Sequence, residues 1–197
     1  MVEYKFILGI ITVVLAFVGY GIYFWQVFSG KVKPHAFSWF VWSLTTGIIF
    51  FGQVFKGAEA GAWATGAISV ACFIIFILAL FKGYRDYAFW DWIFLVSAIF
   101  SLLLWYIAKE PTLALIFISI TDALAILPTL HKVYHKPFED SVTLFSINAV
   151  RSVASLFAFQ VYTFASVIYP VKLVLFNAML VVVMVARRRS QRSNLQV

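Results

Sequence analysis

Three ionisable side chains, Asp122, Arg151 and Lys172, stand deep inside otherwise apolar stretches of this chain. Each costs on the order of 3 kcal/mol at the centre of a lipid-facing helix, so each is expected to face protein or water. At about 1.5 Å per helical residue, Asp122 lies roughly 12 Å and Arg151 roughly 15 Å from the same side of the membrane, a matched depth that suits an ion pair. Lys172 lies roughly 9 Å from the other side, where a long stem can snorkel outward. Helical spacing puts Ser141, Asn148, Arg151 and Ser155 on one face, and Ser119, Asp122 and Thr129 on another. Two such stripes can line a wet path in which Arg151 meets a carboxylate or phosphate and Asp122 releases it or carries a proton. They can equally staple two helices together with no ligand at all.

The stretches that carry these residues define the class. Of 197 residues, 63% are hydrophobic and 12% charged, and apolar runs recur down the whole chain. A bilayer core asks for about 20 apolar residues per helix. Seven segments meet that demand: Phe6 to Phe28, Phe37 to Phe55, Trp63 to Phe81, Phe89 to Ala108, Pro111 to Leu130, Ser141 to Tyr162 and Ser166 to Ala186. The spacing predicts an all-α, polytopic membrane protein with short loops. The first run is too long for a signal peptide's apolar region and lacks a small-x-small cleavage site before Tyr20, so it reads as a retained helix. Pro111 suits the first turn of the fifth span, where its missing amide costs nothing. The single Cys72 excludes an internal disulfide and reads as a small buried side chain.

Basic residues favour the cytoplasmic side. With the C-terminus inside, the inner segments hold Lys31, Lys33, Lys82, Arg85, Lys132, Lys136, Arg187, Arg188, Arg189 and Arg192, against Lys5, Lys56 and Lys109 outside. The expected orientation is N-terminus out and C-terminus in, with a prokaryotic inner membrane as the expected location. Topology and attraction to anionic lipid then account for the net charge of +7, leaving a nucleic-acid partner without separate support. The Arg187-Arg188-Arg189 run reads as a membrane-edge anchor. Trp39, Trp63, Trp90, Trp92 and Trp105 fall near span ends, where amphipathic rings suit the headgroup layer.

Trp25 to Gly52 and Pro128 to Ser155 match without gaps at a constant offset of 103 positions, pairing Lys33 with Lys136, Pro34 with Pro137, Ser38 with Ser141 and Ser43 with Ser146. Seven spans at that offset leave one over. The expected plan is two parallel three-helix repeats, 1–81 and 111–186, joined by a connector, 82–110, whose span is 89–108, with a basic tail at 187–197. In the first repeat the stripe becomes Ser38, Trp42, Thr45 and Gly52. Thr45 matches Asn148, Ile48 matches Arg151 and Gly19 matches Asp122, so the intramembrane charges belong to one half.

This three-one-three plan, with an outside N-terminus and a short basic loop leading to a serine-started second helix, resembles the SWEET and PQ-loop superfamily of small-solute carriers. That family's Pro-Gln pair falls where this chain has Trp25-Gln26 and Pro128-Thr129, each repeat keeping one half. The segment Asp122 to Pro137 is similar to a bacterial branch of such proteins. The resemblance implies alternating access, with Gln26, Pro128, Thr129 and Pro170 at the moving helix regions, although proline is also common in membrane helices at rest. It also places a tryptophan and asparagines about the central cavity, to which Trp42, Asn148 and Asn177 correspond.

The expected substrate-facing set is thus Asp122, Asn148, Arg151, Trp42, Asn177 and Thr45. The function expected is carriage or facilitated passage of a small polar metabolite such as a sugar, carboxylate or vitamin-like solute. A receptor or sensor on the same fold, and a structural membrane subunit, are the alternatives. The lipid bilayer and a small solute are the partners, and homo-oligomers are compatible with the plan. His131, His135 and Glu139 could present three ligands on one helical face, but Pro137 interrupts it and Lys132 and Lys136 sit among them, so no metal is expected. No phosphate loop, zinc-protease helix or nucleophile elbow is present, so neither an enzyme nor a cofactor is expected.

Overall fold

A computed structural model describes residues 2–55, 59–107, 111–158 and 164–193. Lys56, Ala108, Lys109 and Tyr162, which carry outer charges and span ends in the sequence reading, lie outside them, as do the side chains of Trp63 and Trp105. The described residues form α1 (Val2–Phe28), α2 (Ala36–Phe55), α3 (Glu59–Lys82), α4 (Phe89–Ile107), α5 (Pro111–His135), α6 (Val142–Ala158) and α7 (Phe164–Ser193), with a 3-10 turn at Pro137–Glu139 between α5 and α6. Among them there is no strand.

Four helical segments, Tyr4–Phe28, Thr65–Lys82, Ile116–His135 and Pro170–Ser193, are long and apolar enough to cross a membrane, and shorter apolar helices accompany them. Large side chains such as Phe17, Phe51, Phe100 and Leu175 point outward from these helices. Water would not tolerate so much contiguous apolar surface, whereas lipid does, and helices satisfy their own backbone groups there. The chain is an integral membrane protein.

The helix ends have local causes. After α1, Gly30 adopts a left-handed φ of 72°. Its amide reaches Val27 O at 3.1 Å and the Lys31 amide reaches Gln26 O at 2.9 Å, closing a Schellman motif that only a residue at ease with positive φ supports. Ser141 caps α6 by accepting the Leu144 amide at 3.1 Å. Asp91 reaches back to the Ala88 amide at 2.9 Å, the reciprocal half of a capping box opening α4.

The chain divides into two compact units. The first comprises Met1–Val32 and Lys132–Val197, which bring together α1, the last turn of α5, the 3-10 turn, α6 and α7. There α1 packs on α6 and α6 on α7. Gly19 permits the first approach, since a Cβ at that position would lie 3.1 Å from Ile147 Cγ2. The position that matches Asp122 in the repeat is therefore filled by its neighbours' methyl groups. The second unit, Lys33–His131, holds α2, α3, α4 and most of α5. Val41, Ala98 and Ala125 form a small core in it, flanked by Phe40, Trp42, Leu95 and Leu124. These units are defined by packing and group α1 with α6 and α7, a different partition from the repeat seen in the sequence.

Several expectations are corrected. Trp39 is buried, edge-on to Trp42 at 5.2 Å, and does not belong to a headgroup belt, whereas Trp90 and Trp92 are exposed. Helix α5 continues to His135, past the Leu130 end expected for its span, with Pro128 in its interior. The basic segment after Ala186 remains helical as far as Ser193. Lys172 is buried instead of reaching outward.

Candidate functional site

The expected substrate-facing residues divide evenly between the units. Trp42, Thr45 and Asp122 belong to the second; Asn148, Arg151 and Asn177 belong to the first. In the second unit Thr45 is fully buried and donates to Trp42 O at 3.3 Å, and Asp122 is buried on α5. Thr121 beside it donates to Phe117 O at 2.9 Å, the same carbonyl that receives Ser101 Oγ from α4 at 2.9 Å. In the first unit Asn148 and Asn177 are buried and Arg151 is half-buried. Asn177 spends one amide hydrogen on Leu173 O at 2.7 Å. Asn148 Oδ1 and Arg151 Nε are buried with no hydrogen-bond partner among the described residues. An unmet polar group of this kind costs about 1–3 kcal/mol, and native structures retain few of them without a role.

The four expected gating residues are likewise placed. Pro128 and Pro170 are both buried inside helices. Gln26 supplies the carbonyl that receives the Lys31 and Val32 amides at the end of α1. Thr129 donates to Ser38 Oγ at 2.8 Å, a buried bond between α5 and α2. Thr129→Val is expected to lower stability by about 1–3 kcal/mol by stranding that hydroxyl, and adding Ser38→Ala should recover most of the loss. Thermal unfolding of the two variants in detergent checks this. An uncompensated double mutant would show that the bond is not what the pair contributes.

Two charged clusters escaped the sequence reading. In the second unit, His35 Nε2 lies 3.5 Å from Asp91 Oδ2 and His131 Nδ1 lies 3.3 Å from Asp91 Oδ1. The His35 ring packs against Phe37, Tyr84 and Tyr87 at centroid distances of 5.5, 5.6 and 5.3 Å. In the first unit, Lys132 pairs with Asp140 Oδ2, and Tyr23 donates to Asp140 Oδ1 at 3.3 Å. Arg188 ties this cluster to α7, donating to Pro137 O and Asp140 O at 2.8 Å each, while Arg187 donates to Tyr134 O at 2.9 Å. The arginine run thus satisfies carbonyls at and beyond the end of α5, in addition to its expected place at a membrane edge.

The two segments aligned at the 103-position offset differ at both clusters. After the shared Lys-Pro, the first copy reads His35-Ala36-Phe37 where the second reads Phe138-Glu139-Asp140. Each copy carries its ionisable anchor where the other has phenylalanine. Among the described residues no group of three His, Cys, Asp or Glu side chains could hold a metal ion.

Comparison of the chain with protein-family models, curated proteins and solved structures finds no match. Residue chemistry and geometry therefore carry the functional reading.

Proposed function

We propose that this protein is a carrier or facilitator of a small polar metabolite, working by alternating access. Its seven helices would all span the membrane as two parallel repeats and a connector, with the N-terminus outside, in a prokaryotic inner membrane. The observation that carries the reading is the unmet hydrogen-bonding capacity on α6, where Asn148 Oδ1 and Arg151 Nε are buried with no partner among the described residues. A guanidinium and a carboxamide one helical turn apart suit an anionic or hydroxylated solute, which supplies the acceptors and donors they lack. Asn177, in the same unit, is the further polar side chain this reading assigns to the solute. The resemblance to SWEET and PQ-loop carriers points the same way.

The test is a thermal-shift screen of purified protein against carboxylates, sugars, amino acids and vitamins, followed by counterflow in proteoliposomes at equal pH on both sides. A binding solute at a hundred times its Kd should stabilise the protein by about 2.7 kcal/mol. Arg151→Ala and Asn148→Ala should each weaken that binding tenfold or more while remaining folded. If no solute stabilises the protein and both variants lose stability instead, the two side chains hold helices together and the carrier reading fails.

A further inference from the structure

The solute-facing residues do not absorb the cluster around Asp91. Its carboxylate is completely buried and meets His35 and His131 through different oxygens, at 3.5 and 3.3 Å. Opening α4 needs only the oxygen that accepts the Ala88 amide, so capping explains Asp91 but neither histidine. A buried carboxylate without a compensating positive charge is strongly disfavoured.

Each element meeting at Asp91 contributes a titratable or charged group. His35 comes from the segment before α2, His131 from α5, and Tyr84, Arg85 and Tyr87 from the connection between α3 and α4. Burial, with the Asp91 carboxylate adding to it and Arg85 opposing, holds the Tyr87 phenol above its usual range, so Tyr87 stays neutral. Arg85 is exposed and directs its guanidinium to Leu80 O at the end of α3. The two imidazoles remain as the groups that contact the carboxylate and can become positive. One proton shared between them makes the trio electrically neutral; a second would leave a net positive charge in the same dry place. The His131 side chain is 31% exposed and that of His35 is 0% exposed, so of the two only His131 reaches the protein surface.

We propose that His35, Asp91 and His131 form a site for a single exchangeable proton, loaded through His131, and that this proton is the coupling ion of the carrier. A hydronium ion gives its proton to the His131 imidazole and leaves as water. Relocation of the proton to His35 leaves the charge of the trio unchanged, and release to water reverses the loading. The binding site stands on its own geometry, whereas its coupling role rests on the carrier reading.

The chain has 3 histidines, His35, His131 and His135, so ¹⁵N-histidine labelling of the full-length protein in lipid nanodiscs reads each ring directly. His135, exposed at the end of α5, is the internal reference. The His35 and His131 signals should change together as the site takes up one proton. Asp91→Asn should abolish the joint response. His131→Gln, which alters only the surface-exposed member, should change the response of the His35 signal to pH, while the His135 signal serves as reference. Separate responses of His35 and His131 in the wild type, with the His35 response unchanged in His131→Gln, overturn the site.

Proteoliposomes then separate the two ideas. One coupled proton yields about tenfold solute accumulation per pH unit across the membrane, and His131→Gln should reduce the ratio to unity. Wild-type counterflow without accumulation overturns coupling and leaves a passive facilitator. A joint histidine titration with no flux of any solute upholds the proton site and overturns the carrier reading.

Discussion

Lys132→Met is expected to destabilise the protein by about 3–5 kcal/mol, among the largest effects of any single substitution here. Lys132 is fully buried, Asp140 almost so, and the two are paired. The Asp140 carboxylate also accepts a 3.3 Å bond from Tyr23 and a 2.8 Å bond from its neighbour's amide at Ser141. Arg188, bonded to Asp140 O at 2.8 Å, adds a positive charge nearby but does not bond the carboxylate, so losing the ammonium removes its paired cation inside the unit. Lys132 also donates to Glu139 O at 3.4 Å, which ties the 3-10 turn to the end of α5. The penalty belongs to the orphaned charge more than to the pair. Lys132→Met combined with Asp140→Asn should therefore recover more than half the loss, because the amide oxygen still accepts from Ser141 and Tyr23. Equilibrium unfolding in mixed micelles measures all three variants. A loss below about 1 kcal/mol for Lys132→Met would mean that water or an alternative partner already compensates Asp140.

Gly83→Ala should cost about 3 kcal/mol, although it adds a single methyl group. A Cβ at this position would stand 2.3 Å from Ala79 O and 2.6 Å from Pro34 O. Both are backbone atoms, so no rotamer change relieves the clash and the connection between α3 and α4 must shift. That shift breaks the 3.0 Å bond from the Tyr84 amide to Pro34 O. Since Tyr84 and Tyr87 pack on His35, the histidine signals should move as well. Gly21→Ala is the matched control, because nothing lies within 4 Å of its Cβ. Its stability should stay within about 0.5 kcal/mol of wild type or rise slightly through better helix propensity. Equal melting temperatures for the two variants would show that the connection yields freely at Gly83.

The elements were more legible than the site. Apolar runs located the seven helices to within a few residues except where polar residues extend them, as α5 continues through His131, Lys132 and His135 and α7 through its arginines. A membrane span ends where lipid ends; a helix ends where its carbonyls lose their donors. Reading hydrophobicity alone therefore stopped both segments before their helices end. Asp122 and Asn148 were legible because a lone polar residue in an apolar run is conspicuous. Asp91, Lys132, His35 and Asp140 were not, because they lie near span ends, where charge ordinarily faces water.

The sequence by itself determined that this is a helical, polytopic membrane protein and, to within a few residues, where its helices lie. Those properties depend on local composition and on periods of three to four residues, which a single chain segment expresses without its neighbours. Only the tertiary structure decided which polar groups meet. Tyr23 finds Asp140 across 117 positions and Thr129 finds Ser38 across 91, and Asp91 lies between histidines from two other elements. Such meetings depend on how far one helix slides and rotates against another, which is set by packing at places such as Gly19 and Gly83. That register decides whether a charge is compensated or stranded, and no periodicity along the chain encodes it.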